Sequence, residues 1–138
     1  MVEGWLGNDY LILFDASEVE AASNRYTIGR WLPAHQVVGL RSWDDLLVKT
    51  HAGQVFAVPS VPASPDHVTP FPISSRRPTL SPDARFAGKI KWYVKPLAFG
   101  GDPTSDANIT WVSHAQHGQL VVWWNEQYSM LKSQSIGA

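Results

Sequence analysis

Apolar and polar positions change their period along this chain, and each change marks an element. Tyr10-Leu11-Ile12-Leu13-Phe14 is a continuous apolar run bounded by Asn8-Asp9 and Asp15, which has the length and residue types of a buried strand. A short helix is predicted next. Ser17 is the expected N-cap, Glu18 and Glu20 sit in the first turn where the helix dipole favours acids, and Val19, Ala22 and Tyr26 approximate one face, with an end near Arg25 or Tyr26. Pro33 forbids a helix across Trp31-Leu32, and residues 36–40, 45–49 and 54–58 read as three successive strands. The last two are separated by Thr50-His51-Ala52-Gly53, a natural hairpin turn.

Seven prolines between Pro59 and Pro82 then fix φ and remove backbone donors, so residues 59–84 are expected to form an extended connector joining a 1–58 part to an 85–138 part. Beyond it, Lys89-Ile90-Lys91-Trp92-Tyr93-Val94-Lys95 alternates charge with apolar bulk, as a strand with one wet face does, and Pro96 ends it. Phe99-Gly100-Gly101-Asp102-Pro103 is a turn. A last helix is predicted over 113–132, opened by a Ser113/Gln116 capping box and carrying Leu120, Trp124, Tyr128 and Leu131 as an apolar stripe that Val121 and Trp123 broaden. Together these elements predict a single α+β domain over 1–138, an antiparallel sheet with flanking helices including a C-terminal one.

Composition narrows the classes. A chain of 138 residues with 17% charged positions can bury enough apolar surface for one core. The absence of cysteine excludes disulfides and cysteine-ligated zinc, no apolar run reaches the roughly 18 residues of a membrane span, and the N-terminus lacks the features of a signal peptide. A cytoplasmic protein without membrane contact is the expectation. The net charge of −1 conceals a basic stretch over 76–95, where Arg76, Arg77, Arg85, Lys89, Lys91 and Lys95 accompany one acid, Asp83, and interleave with Phe86, Trp92 and Tyr93. Such a stretch can track a phosphate backbone, so a nucleic-acid-binding module is the alternative reading, but the near-zero total charge favours solvated faces of a strand and its approach loop. Of the seven tryptophans, Trp92, Trp111, Trp123 and Trp124 are assigned to the core by their apolar segments, while Trp31 and Trp43 lie beside loops as candidate exposed anchors.

Catalytic constellations are sought without success. His114 and His117 are three apart, without the glutamate and four-residue spacing of a zinc-protease helix. Asp102, Thr104, Asp106 and Asn108 alternate like a calcium loop, yet Ala107 replaces the sharp-turn glycine and Ser113 the bidentate glutamate, so turn chemistry is the better account. Ser113-His114 has no nucleophile elbow around it, the consecutive Asp44-Asp45 read as surface charge, and Gly100-Gly101 lacks the lysine and helix of a phosphate loop. No catalytic residue, metal or cofactor is therefore assigned, and the chain reads as a binding protein rather than an enzyme.

Asn8-Asp9-Tyr10-Leu11-Ile12-Leu13-Phe14-Asp15, Glu18-Val19, Asn24-Arg25-Tyr26, Trp31-Leu32-Pro33, Val37-Val38-Gly39 and Gly53-Gln54-Val55-Phe56-Ala57-Val58-Pro59, in this order, resemble the middle of the SUKH superfamily of bacterial immunity proteins. The resemblance covers residues 8–60. A second stretch, Phe99-Gly100-Gly101-Asp102-Pro103 with Asn108, Val112-Ser113, His117, Leu120-Val121 and Trp123-Trp124-Asn125, resembles a C-terminal motif from the same toxin-immunity setting. The resemblance implies a cognate protein toxin as partner, of nuclease or deaminase class, neutralised by direct binding in the cytoplasm, and no catalytic residues. Leu40-Arg41-Ser42-Trp43-Asp44-Asp45 stands where the family has a glycine-rich acidic turn, and the family's longer helical N-terminal region is missing. The partner-binding residues expected from that departure are Arg41, Trp43, Asp44 and Asp45, with Trp31 as a further anchor.

Overall fold

Gly7 adopts φ 61°, and the two-residue turn Gly7-Asn8 folds the N-terminus back on itself, so that β1 (Val2–Leu6) pairs antiparallel with β2 (Asp9–Leu13) in the computed structural model of the protein, which describes residues 1–73 and 78–137. The apolar run at 10–14 thus forms the expected strand, shifted by one residue. β1 had no signal of its own. Gly4 interrupts its alternation because the backbone of Ser81 lies against it: an added Cβ would meet the Ser81 carbonyl, and Trp5 and Ser81 exchange two backbone bonds at 2.8 and 2.9 Å.

The meander continues through β3 (Gln36–Arg41), β4 (Asp45–Lys49) and β5 (Val55–Pro59) to the two-residue β6 (Thr69–Pro70), all antiparallel and in sequence order. The register between β3 and β4 shifts at Val37/Gly39, and Gly39 admits the carbonyl of Ile12, which a side chain would strike. Two helices, α1 (Ala16–Arg25) and α2 (Ile28–Trp31), fill the crossover from β2 to β3. The N-cap of α1 is Asp15 rather than the expected Ser17. The chain leaves the sheet at Phe14, and Asp15, still extended at φ −72° and ψ 160°, donates its N–H to Glu18 Oε1 at 2.8 Å, while the N-terminal ammonium bridges Asp15 and Glu18.

A second, two-stranded sheet pairs β7 (Ile90–Tyr93) with β8 (Ile109–Val112), and α3 (His114–Gly137) follows directly, ending five residues later than predicted. Its capping box is the predicted one, with Ser113 N–H to Gln116 Oε1 at 2.9 Å and Gln116 N–H to Ser113 Oγ at 3.2 Å. The architecture is α+β, an antiparallel six-stranded sheet and a small second sheet with helices that include a C-terminal one.

One face of the large sheet, Tyr10, Ile12, Val37, Leu40, Leu46, Val48 and Val58, packs with Ala22, Tyr26 and Ile28 of the crossover and with Ile90, Trp92 and Val121 from beyond the connector. The two parts therefore share one core. On the opposite face Leu11, Leu13, Leu47 and Ala57 are covered by Phe71, Ile73 and Leu80, so the connector wraps the sheet and closes a side that would otherwise meet water. The assignment of four tryptophans to the core holds for Trp92 and, half-buried against that core, Trp124, and it fails for the other two. Trp111 is 40% exposed because it only edges the core, one side of its ring on Phe86 and Trp43 and the rest in solvent, and Trp123 is 51% exposed because it falls one position off the buried stripe of α3; Leu131, expected on that stripe, is 53% exposed past the reach of the core.

Candidate functional site

The loop between β3 and β4 carries two consecutive left-handed residues that are not glycine, the one such pair among the described residues. Ser42 and Trp43, both non-glycine, occupy the left-handed region at φ 46° and 62°, between the paired residues Arg41 and Asp45. They are held by Ser42 N–H to the Tyr10 carbonyl at 2.6 Å and Asp44 N–H to the Ser42 carbonyl at 2.7 Å, and the Asp44 carbonyl accepts from Ser60 N–H at 2.9 Å. This geometry turns Trp43 inward. It is only 9% exposed and stacks on Tyr10 at 4.8 Å, with Trp5, Phe86 and Trp111 edge-on at 6.2, 5.1 and 5.4 Å. The expectation of Trp43 as an exposed anchor is thus corrected: a loop position does not imply exposure when left-handed backbone aims the side chain at the sheet. Its Nε1 is shielded from solvent and makes no hydrogen bond.

Behind the loop a groove of about 230 Å³ opens between the β4 and β5 ends and the β7 strand. Trp43, Asp44 and Asp45 line one wall, Pro59-Ser60-Val61 continue it, and Lys91, Trp92, Tyr93 with Pro96 and Leu97 form the other. Lys91 Nζ crosses this space, 3.8 Å from Asp44 Oδ2, 3.1 Å from the Tyr93 hydroxyl, and over the Tyr93 and Trp43 rings at 4.7 and 5.8 Å from their centroids. Partial burial raises the Asp44 carboxyl above the ordinary aspartate range against the opposing pull of Lys91, and burial does the same to Asp45 against Arg41, whose Nη2 lies 2.8 Å from Asp45 Oδ2. The groove is therefore apolar and aromatic with two carboxylates and one ammonium at its mouth.

Of the expected residues the fold brings Trp43, Asp44 and Asp45 together. Arg41 reaches this group only through Asp45, its guanidinium lying over Phe71 on the other side of the sheet at 5.2 Å. Trp31 is elsewhere: half-buried under Arg30 at 4.6 Å, it lines a separate recess with Pro62, Asn125 and Lys132. Lys91 and Tyr93 were missed as partners of the turn. Their alternation marked a wet face, but nothing in the sequence indicates that β7 lies across from a turn fifty residues earlier.

The remaining candidates resolve into structure. His117 is buried, its Nδ1 2.7 Å from the Tyr26 hydroxyl and its ring edge-on to Trp92 at 5.5 Å; burial first, then His114 and Arg25, lower it to a pKa of about 3. His114 and His117 are accordingly parts of the packing of α3, and no group of three or more His, Asp or Glu able to hold a metal occurs among the described residues. Asp102 accepts from Thr104 N–H at 2.8 Å and Thr104 Oγ1 at 2.7 Å, which holds its carboxyl below the usual range. Asn108 staples the 95–102 loop, taking Lys95 N–H at 2.8 Å and donating to the carbonyls of Lys95 and Asp102. In the basic stretch, Arg85 is bound to Asp83 at 2.8 Å and Lys91 to Asp44, and Arg76 and Arg77 lie outside the described residues. No helix among the described residues is long and apolar enough to cross a membrane.

No family model matches the chain, and neither a curated protein nor a solved structure matches it.

Proposed function

We propose that the protein is a non-enzymatic binding protein of the immunity type, which neutralises a cognate bacterial toxin of nuclease or deaminase class in the cytoplasm by direct contact through the groove at the Ser42–Asp45 turn. The observation that carries this reading is the pair of left-handed residues Ser42 and Trp43 beside that groove. Each costs about 1–2 kcal/mol for a residue with a Cβ, and such strain persists where the surroundings over-determine it, commonly at ligand clamps and switch regions. The resemblance of residues 8–60 to the SUKH superfamily supplies the class of partner. The same turn is where the chain departs from the family, which is where a change of partner is accommodated.

The nucleic-acid reading has less support, because two of the cations it needs are already in ion pairs with Asp83 and Asp44. The test is capture of partners by the purified protein from a lysate of the organism that encodes it, followed by mass spectrometry. A single stoichiometric protein whose toxicity is suppressed on co-expression is the expected result. Retention of nucleic acid alone, released as salt rises, removes the proposal.

A further inference from the structure

The backbone of β7 has a property that its side chains do not reveal. Val94 N–H bonds the Asn108 carbonyl at 2.8 Å, and in an antiparallel pair the bonded positions alternate, so Trp92/Thr110 and Ile90/Val112 are the other bonded pairs of this ribbon. Lys91/Trp111 and Tyr93/Ile109 are then the unbonded pairs, which turns the N–H and C=O of Lys91 and Tyr93 away from β8. That side of β7 pairs with no strand among the described residues, and Lys91, Trp92 and Tyr93 line the groove in sequence. The groove thus has an open sheet edge along one wall, the usual template for strand addition.

The opposite wall sets the side-chain chemistry. An ammonium already sits among Asp44, the Tyr93 hydroxyl and the Tyr93 and Trp43 rings, and it is the protein's own Lys91. At 3.8 Å the Lys91–Asp44 ion pair is longer than a hydrogen-bonded one, whereas Asp45, the second carboxylate at the mouth, is held by Arg41 at 2.8 Å, which leaves Asp44 as the carboxylate open to exchange. The surroundings therefore fit a cation, and a planar guanidinium stacked on the aromatic rings and forked onto a carboxylate fits better than the flexible ammonium that occupies them.

Resting on the proposed binding function, we propose that the groove receives an extended segment of the partner, added as a strand to the free edge of β7, with an arginine side chain displacing Lys91 and engaging Asp44. The partner's recognition element is accordingly a basic strand or loop rather than a helix.

The probe is an acetylated, amidated pentapeptide of alternating threonine and valine with a central arginine, titrated into the intact protein with Lys91 and Tyr93 amide exchange as readout. The expected result is saturable binding that slows exchange at both amides, about tenfold weaker when norleucine replaces arginine. Asp44→Asn, which keeps the shape of the side chain, removes that tenfold preference while the amides remain protected. Absence of binding, binding without protection of Lys91 and Tyr93, or equal affinity for both peptides overturns the proposal. The lysate capture separates the two readings: a captured toxin whose complex leaves both amides exchanging as in the free protein defeats the strand addition alone, whereas capture of no protein defeats the function.

Discussion

The parts before and after the proline-rich connector are held in place by different physics. Residues 2–59 make five successive strands whose inward side chains, among them Leu11, Ile12, Leu46, Leu47 and Val48, are fully buried, so this part is stabilised by apolar area spread over many positions. Residues 85–137 form a two-strand ribbon and a helix that contribute few buried apolar side chains and are fastened by single polar ones. Asn125 takes the N–H of Ala63 and donates to the carbonyls of Ser60 and Val121, His117 is joined to Tyr26, and Asn108 closes the 95–102 loop. The groove lies on the seam between the two, so its shape depends on how firmly the second part is fastened to the first, and the proposed binding would depend on it too.

The sharpest way to break this comparison is Asn125→Ala. It leaves a buried N–H and a buried C=O without partners, and the expected loss is about 4 kcal/mol in denaturant unfolding. Leu46→Ala, an apolar truncation in the first part, is expected to cost about 3 kcal/mol. A cost for Asn125→Ala well below that of Leu46→Ala would show that polar fasteners are not what holds the second part. Gly101→Ala is expected to cost about 2 kcal/mol, because its new methyl would meet the carbonyl of Lys95 and loosen the loop that Asn108 closes.

Acid provides a graded version of the same test. His117 is held neutral in the fold at a pKa of about 3 and titrates near its ordinary value of about 6.5 when unfolded. The unfolded state then binds the extra proton between these values, so stability is complete above pH about 6.5 and falls by up to about 1.4 kcal/mol for each pH unit below it. His117→Leu should flatten most of that slope in pH-dependent melting, although it lowers stability at neutral pH by removing the buried Tyr26–His117 hydrogen bond. The smallest expected effect on stability is that of Asp44→Asn, within about 0.5 kcal/mol, since this carboxylate is half-exposed and its ion pair is long. Its effect on binding is expected to be large. Trp43 is a poor probe by contrast, because truncating it removes a stacked core ring and confounds binding with unfolding.

What was legible in the sequence cuts across that division. In the first part β2 to β5 were readable because each is an apolar run or alternation bounded by turn residues, and in the second β7 was readable from its alternation and the capping box of α3 from two residues three apart. β1 and β8 were not readable, since Gly4 breaks one pattern and Ile109-Thr110-Trp111-Val112 is a short, half-exposed strand without a clean apolar alternation. At the site, the carboxylates of Asp44 and Asp45 were singled out from the turn in which they lie. The inward course of Trp43 depends on two φ angles that no residue type there demands, and the pairing of that turn with Lys91 and Tyr93 depends on docking across the connector. Asn108, Asn125 and His117 carried a motif without an evident role; their hydrogen bonds give them a structural one.

The measurement that tests the central claim most directly is parallel capture from lysate with the wild-type protein and with Asp44→Ala/Tyr93→Ala, after melting shows both to be folded. The account predicts one stoichiometric protein on the wild type and its loss from the double variant. Equal recovery of that protein by both, or recovery of no protein by either, would contradict it.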